Sequence, residues 1–145
     1  MISFIESIDN FNLTYAALLF PAIPLMMISF GNRYTTLSNL IRKIHDELIN
    51  KKITSKDKSA TRYLAQVKIL NQRLSYVLYV QTLSGCAFIC NLLSILFGIF
   101  SSFLFSVSFF ILALGIFSMA MLLFLIELRL AGKALKTHLE DLEEI

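Results

Sequence analysis

The chain has 145 residues, of which 57% are hydrophobic and only 16% charged, and its formal net charge is +3. Water-soluble domains carry about 45–50% apolar and about 25% charged residues, so a soluble enzyme domain is excluded. Two cysteines are too few for a disulfide-stapled secreted scaffold, and the apolar content excludes a disordered tail.

The apolar residues gather in two runs without a single Asp, Glu, Lys or Arg, Asn10–Asn32 and Leu74–Ile126. One charge at bilayer depth costs about 2.5–3.5 kcal/mol on insertion scales, so charge-free runs of about 20 apolar residues read as membrane spans. The first run predicts a span over about residues 11–32. A cleaved secretion signal begins with basic residues; here Glu6 and Asp9 stand instead, so this span is expected to be retained. Glu6, Asp9 and Asn12 recur every three residues and share one helical face. On a single chain they form an acidic tail, whereas in a ring of identical subunits they become carboxylate rings at an outer mouth. Within the span, Pro21 and Pro24 offer no N–H, which deprives the carbonyls of Ala17 and Phe20 of their helical donors. Such a place is either a kink repaired by neighbouring helices or a break in a wet path.

After the first span, Tyr34, Leu37, Leu40, Ile41, Ile44 and Leu48 follow the 3–4 spacing of an amphipathic helix, ending at the polar stretch Asn50–Asp57. Tyr63, Leu64, Val67, Leu70, Leu74 and Val77 carry the same spacing into the second apolar run. That run is too long for one span and is expected to turn at Gly98-Ile99-Phe100-Ser101-Ser102, giving spans over about 75–97 and 103–126. Gln81, Ser84, Asn91 and Ser94 form a polar stripe on the second span, and Ser108, Gly115 and Ser118 a small-residue stripe on the third. Both stripes suit helix–helix contact in lipid, or alternatively a hydrated lining. Cys86 and Cys90 stack on one face of the second span and read as small packing residues. Beyond the third span, Leu128, Ala131, Leu135, Leu139 and Leu142 continue the apolar spacing. Extensions are therefore expected over about 33–50, 58–74 and 127–143, with their stripes buried against one another in a small bundle. That bundle either stabilises the fold or serves as an assembly interface or gate. Arg33, Arg73, Glu127 and Arg129 all fall at span ends, where Glu127 is placed to pair with one of the arginines and fix the helices in register. Snorkelling to lipid headgroups is the alternative for the arginines.

The basic residues set the orientation. None of the 13 Lys and Arg precedes Arg33, ten lie from Arg33 to Arg73, and Arg129, Lys133 and Lys136 follow the third span. Basic flanks stay in the cytoplasm, so the N-terminus is expected outside, with the long connection and the C-terminus inside. The small net charge thus hides a basic inner side and an acidic outer one, and it gives no reason to expect nucleic-acid binding.

Catalytic motifs are absent: the chain has no HExxH, GxSxG, phosphate-binding loop or GxGxxG, and no carboxylate lies within a span. His45 and His138 fall on different extensions. No enzyme activity, cofactor or metal is expected.

The run Ala17-Leu18-Leu19-Phe20-Pro21-Ala22-Ile23-Pro24-Leu25, continuing to Gly31-Asn32-Arg33 and Leu40-Ile41-Arg42, resembles a bacterial membrane family known as domain of unknown function 2721. The ending Ile126-Glu127-Leu128-Arg129-Leu130 to His138-Leu139 is also similar. The resemblance implies a three-span protein of the bacterial inner membrane and brings no catalytic or binding residues with it. Pro24 departs from the small polar residue expected at that place.

These readings combine into one expectation: an all-α, three-span membrane domain over residues 1–145 that forms a homo-oligomeric, cation-conducting channel in the lipid bilayer. Its path would be lined by the first span or by the polar stripe of the second. The alternative is a non-catalytic scaffold or accessory subunit that docks a partner through its helical extensions and the acidic end Glu140-Asp141-Glu143-Glu144.

Overall fold

Apolar and small residues at seven-residue intervals organise the chain into three antiparallel helices. The computed structural model describes residues 1–3, 6, 13–50 and 58–143, with the side chains of 58–60, 138, 141 and 142 excepted. Helix α1 is Thr14–Asn50, α2 is Lys58–Ile99 and α3 is Phe103–Glu143, of 37, 42 and 41 residues. At about 1.5 Å per residue each is 55–65 Å long, roughly twice the ~30 Å thickness of bilayer hydrocarbon. All three are long and apolar enough to cross a membrane, which makes this a multi-pass membrane protein.

The buried residues show how the helices meet. On α1 they are Ala16, Ile23, Phe30 and Leu37; on α3 they are Ser106, Ala113, Ala120 and Glu127. Both columns repeat every seven residues, the interval that keeps one seam of a helix facing its partners in a left-handed bundle. Helix α2 buries Val77, Val80, Ser84, Ala87, Asn91 and Ser94, alternating steps of three and four. It therefore presents two columns, one for each neighbour, and packs against both α1 and α3. Small residues line the α3 side, so the backbones approach closely, as membrane helices must when lipid is as apolar as their core. Larger residues fill a layer where all three helices meet: Phe30 of α1, Val80 of α2 and Ala120 of α3 form a cluster closed by Met26, Leu83, Met121, Leu123 and Phe124. The rings of Phe30 and Phe124 lie 4.9 Å apart, tilted by 58°.

The prolines do not interrupt α1. It runs as one helix through Pro21 and Pro24, so the expected break is confined to the two missing N–H donors. The α2–α3 turn lies where the Gly98–Ser102 stretch predicts it. Ser102 N donates to Phe97 O at 3.0 Å and Ser101 N to Gly98 O at 3.2 Å, with Ser101 at φ 60°. This pair of bonds is the Schellman closure, which normally places glycine at the left-handed position. Ser102 then starts α3, its carbonyl accepting from Ser106 N at 3.0 Å. Ser101→Gly should stabilise the chain by up to about 1 kcal/mol by removing the Cβ strain, measured as a higher midpoint in a thermal melt in detergent. Gly98 has a separate reason to be glycine: a Cβ there would run into Leu13 and lie 3.2 Å from Ser106 Oγ.

The shared apolar core expected of the three extensions is not closed on α3. Leu128, Leu135 and Leu139 are exposed, because the buried column that ends at Glu127 continues one turn-pair later at half-buried Ala134 and turns those leucines away. Leu40 and Leu64, expected in the same core, are exposed as well.

Candidate functional site

The Gln81–Ser84–Asn91–Ser94 stripe of α2 faces its neighbours rather than the surroundings of the bundle. Asn91 is fully buried and donates from Nδ2 to the backbone oxygen of Ala16 at 3.0 Å. The acceptor is thus Ala16, on the inward column of α1, and not the carbonyl of Ala17 or Phe20 freed by a proline. Asn91 Oδ1 and Ser84 Oγ are buried without a hydrogen-bond partner among the described residues. Ser94 Oγ donates to Ser106 O and Ser106 Oγ to Ser94 O, both at 2.7 Å. This reciprocal clasp pins α2 to α3 beside their turn. Gln81 is half-buried, and its Nε2 would lie 3.7 Å from a Cβ built on Gly31, so it rests over α1.

At the other end of the bundle each helix contributes one charge. Glu127 of α3 is fully buried. Arg33 of α1 donates to it from Nε at 2.6 Å and from Nη2 at 3.3 Å, and Arg73 of α2 donates from Nε at 3.1 Å. The arginine side chains are 30% and 13% exposed. One carboxylate thus gathers two guanidiniums, where the sequence pattern predicts pairing with one. Arg129 is exposed on α3, outside this network.

Most of the remaining candidates among the described residues are exposed, although the Phe20 ring lies 5.6 Å from that of Phe88 on α2. Ala17, Phe20 and Pro21 are exposed and Pro24 is half-buried. Glu6 is exposed; Asp9 and Asn12 lie outside the described residues. On α3, Ser108, Gly115 and Ser118 are all exposed, so the helix contact expected of them is made instead by Ser106, Ala113 and Ala120. Cys86 is exposed and Cys90 half-buried, both as free thiols. No group of three metal-ligating side chains occurs among the described residues.

One feature of α1 escapes a reading by motif. Ser29, Asn32, Thr36 and Asn39 are all exposed and follow the 3–4 spacing. They lie opposite the Ala16–Ile23–Phe30–Leu37 column and continue the outward side that carries Ala17 and Pro21. Thr36 Oγ1 is spent on Asn32 O at 2.9 Å. The spacing was available in the sequence; without the buried column to oppose it, the stripe has no direction.

The geometry separates two kinds of polar residue. Those facing inward hold helices together: the Asn91 amide, the serine clasp and the three-helix ion cluster. Those facing outward include the Ser29–Asn32–Thr36–Asn39 stripe of α1, with Ser75 and Thr82 on α2 and Ser108 and Ser118 on α3. A family model described as "Protein of unknown function (DUF2721)" matches residues 13–137, which takes in α1 and α2 whole and α3 up to Thr137. No curated protein and no solved structure matches the chain.

Proposed function

The chain belongs to the DUF2721 family, and from that premise we propose that it assembles with copies of itself into a cation-conducting channel whose path runs between protomers along the outward side of α1. The observation that carries this reading is that side itself. Ala17, Phe20 and Pro21 are exposed, and the carbonyls of Ala17 and Phe20 have lost their proline-position donors. Unpaired carbonyls at bilayer depth need cover from protein or contact with water. Exposed Ser29 and Asn32 extend the polarity toward the basic end, and exposed Glu6 precedes it at the other. The α2 stripe is committed to contacts inside the protomer, so α1 takes the lining role. In this proposal the protein resides in the bacterial inner membrane, with the basic end in the cytoplasm.

Two measurements test it. With Cys86 and Cys90 replaced by alanine, Ala17→Cys and Ile28→Cys should cross-link copies under oxidation, while Ile23→Cys, buried in its own bundle, should not. Absence of cross-links at both outward positions would remove the assembly. Liposomes carrying the protein should pass cations above background, and Glu6→Gln should lower that flux at low salt, where a charged mouth matters most. A flux equal to that of empty liposomes would end the channel reading.

A second reading has its own observation. Leu128, Leu135 and Leu139 lie exposed on the part of α3 beyond its apolar run. These are the residues a docked helix would cover, and they support a scaffold or accessory subunit in which the extensions hold a partner. Co-purification of one partner in fixed stoichiometry, abolished by Leu135→Lys, would favour it.

A further inference from the structure

Where α2 and α3 leave the apolar region they diverge around a groove of about 640 Å³. Its floor is apolar, with Ile69 and Leu70 from α2 and Leu130 from α3, while Arg62, Arg73 and Lys133 supply its charge. No carboxylate lines it among the described residues. A basic, half-apolar groove at a span end has the composition of a lipid headgroup site.

The ion cluster gives that charge a direction. Two guanidiniums meet one carboxylate at Glu127, so the cluster holds one positive charge in excess. Arg73 contributes to both, since it bonds Glu127 through Nε and also lines the groove. Its side chain is only 13% exposed, and a poorly hydrated surplus cation calls for an anion close by. Position supplies the rest. Arg73 stands at the start of the charge-free run of α2, at the depth of the headgroups. Lys133 lies six residues past Glu127 on α3, about 9 Å along the helix, and Arg62 is about 16 Å from Arg73 along α2. We infer that this groove binds an anionic phospholipid of the surrounding bilayer, its phosphate held between Arg73 and Lys133 and its glycerol and upper acyl carbons laid on Ile69, Leu70 and Leu130. Arg62 takes the outer part of the headgroup. This site is independent of whether the protein conducts ions.

The test is titration of the purified protein in detergent with phosphatidylglycerol or phosphatidylcholine, reading bound lipid by native mass spectrometry. The unmodified protein should prefer phosphatidylglycerol. Arg62→Gln with Lys133→Gln should weaken that binding roughly 25-fold, at about fivefold per charge lost near an anionic surface, and leave phosphatidylcholine unchanged. Both positions are exposed, and an unaltered melting profile will show that the fold is retained. Arg42→Gln with Lys43→Gln removes two charges from α1, outside the groove, and should leave the preference intact. Equal losses in the two double variants would mean diffuse attraction to the basic end and would overturn the site. Displacement of the lipid by inorganic phosphate alone would overturn it too. So would a change in oligomer size with lipid binding unchanged, since the groove would then be covered by a second copy.

Discussion

Glu127→Ala should destabilise the folded chain by about 3–5 kcal/mol, the cost of leaving buried charges without their partner. Glu127 is fully buried and takes hydrogen bonds from Arg33 and Arg73, so its removal strands two guanidiniums, one on each of the other helices. Unfolding in a denaturing-detergent titration measures the effect. The triple variant Arg33→Met, Arg73→Met, Glu127→Leu should recover most of the loss, because a buried ion network replaced whole by apolar residues of similar volume is often neutral or stabilising. If the triple variant is as unstable as Glu127→Ala, the loss comes from packing and not from stranded charge.

Phe30→Ala should be the most costly substitution of an apolar residue. In a soluble core Phe→Ala costs about 3–5 kcal/mol, part of it the lost transfer from water. Here the unfolded reference is also in lipid, so that part falls away and the cavity and dispersion remain. A loss of about 2–3 kcal/mol is expected. Phe30 meets Val80 and Ala120 in one cluster, so Ala120→Leu in the Phe30→Ala background should refill the space and regain a share of the stability. Alone, Ala120→Leu should overpack the contact and cost about 1–3 kcal/mol. A double-mutant cycle with no coupling between the two positions would show that they do not share a layer.

The three helices were legible because charge is so scarce: Arg33, Arg73 and Glu127 bound the apolar runs, and Gly98 to Ser102 marks the turn. The faces were harder to read. On α3, Ser106–Ala113–Ala120 and Ser108–Gly115–Ser118 are equally small and equally uncharged, and polarity cannot choose between them where the outer solvent is as apolar as the core. The choice is made by phase. Only the first set lies at multiples of seven from Glu127, the one residue on that side that must find a partner. The same phase decides against Leu128, Leu135 and Leu139 as core residues. It also explains why Asn91 meets Ala16: the inward column selects the acceptor, while the carbonyls that the prolines release lie elsewhere on α1. The outward polar stripe of α1 becomes visible only once the inward one is known.

The clasp between Ser94 and Ser106 has a consequence for how the protein is made. Its two bonds and the Schellman turn all close across a sequence separation of 12 residues, so they need little loop closure and nothing from α1. The Asn91–Ala16 bond and the Arg33–Glu127 pair bridge separations of 75 and 94 residues. The C-terminal hairpin can therefore assemble on its own inside the bilayer. Helix α1 can then dock onto a hairpin already formed, through Asn91 and Glu127, while its proline-freed carbonyls, on the side turned away from that hairpin, are left for another cover.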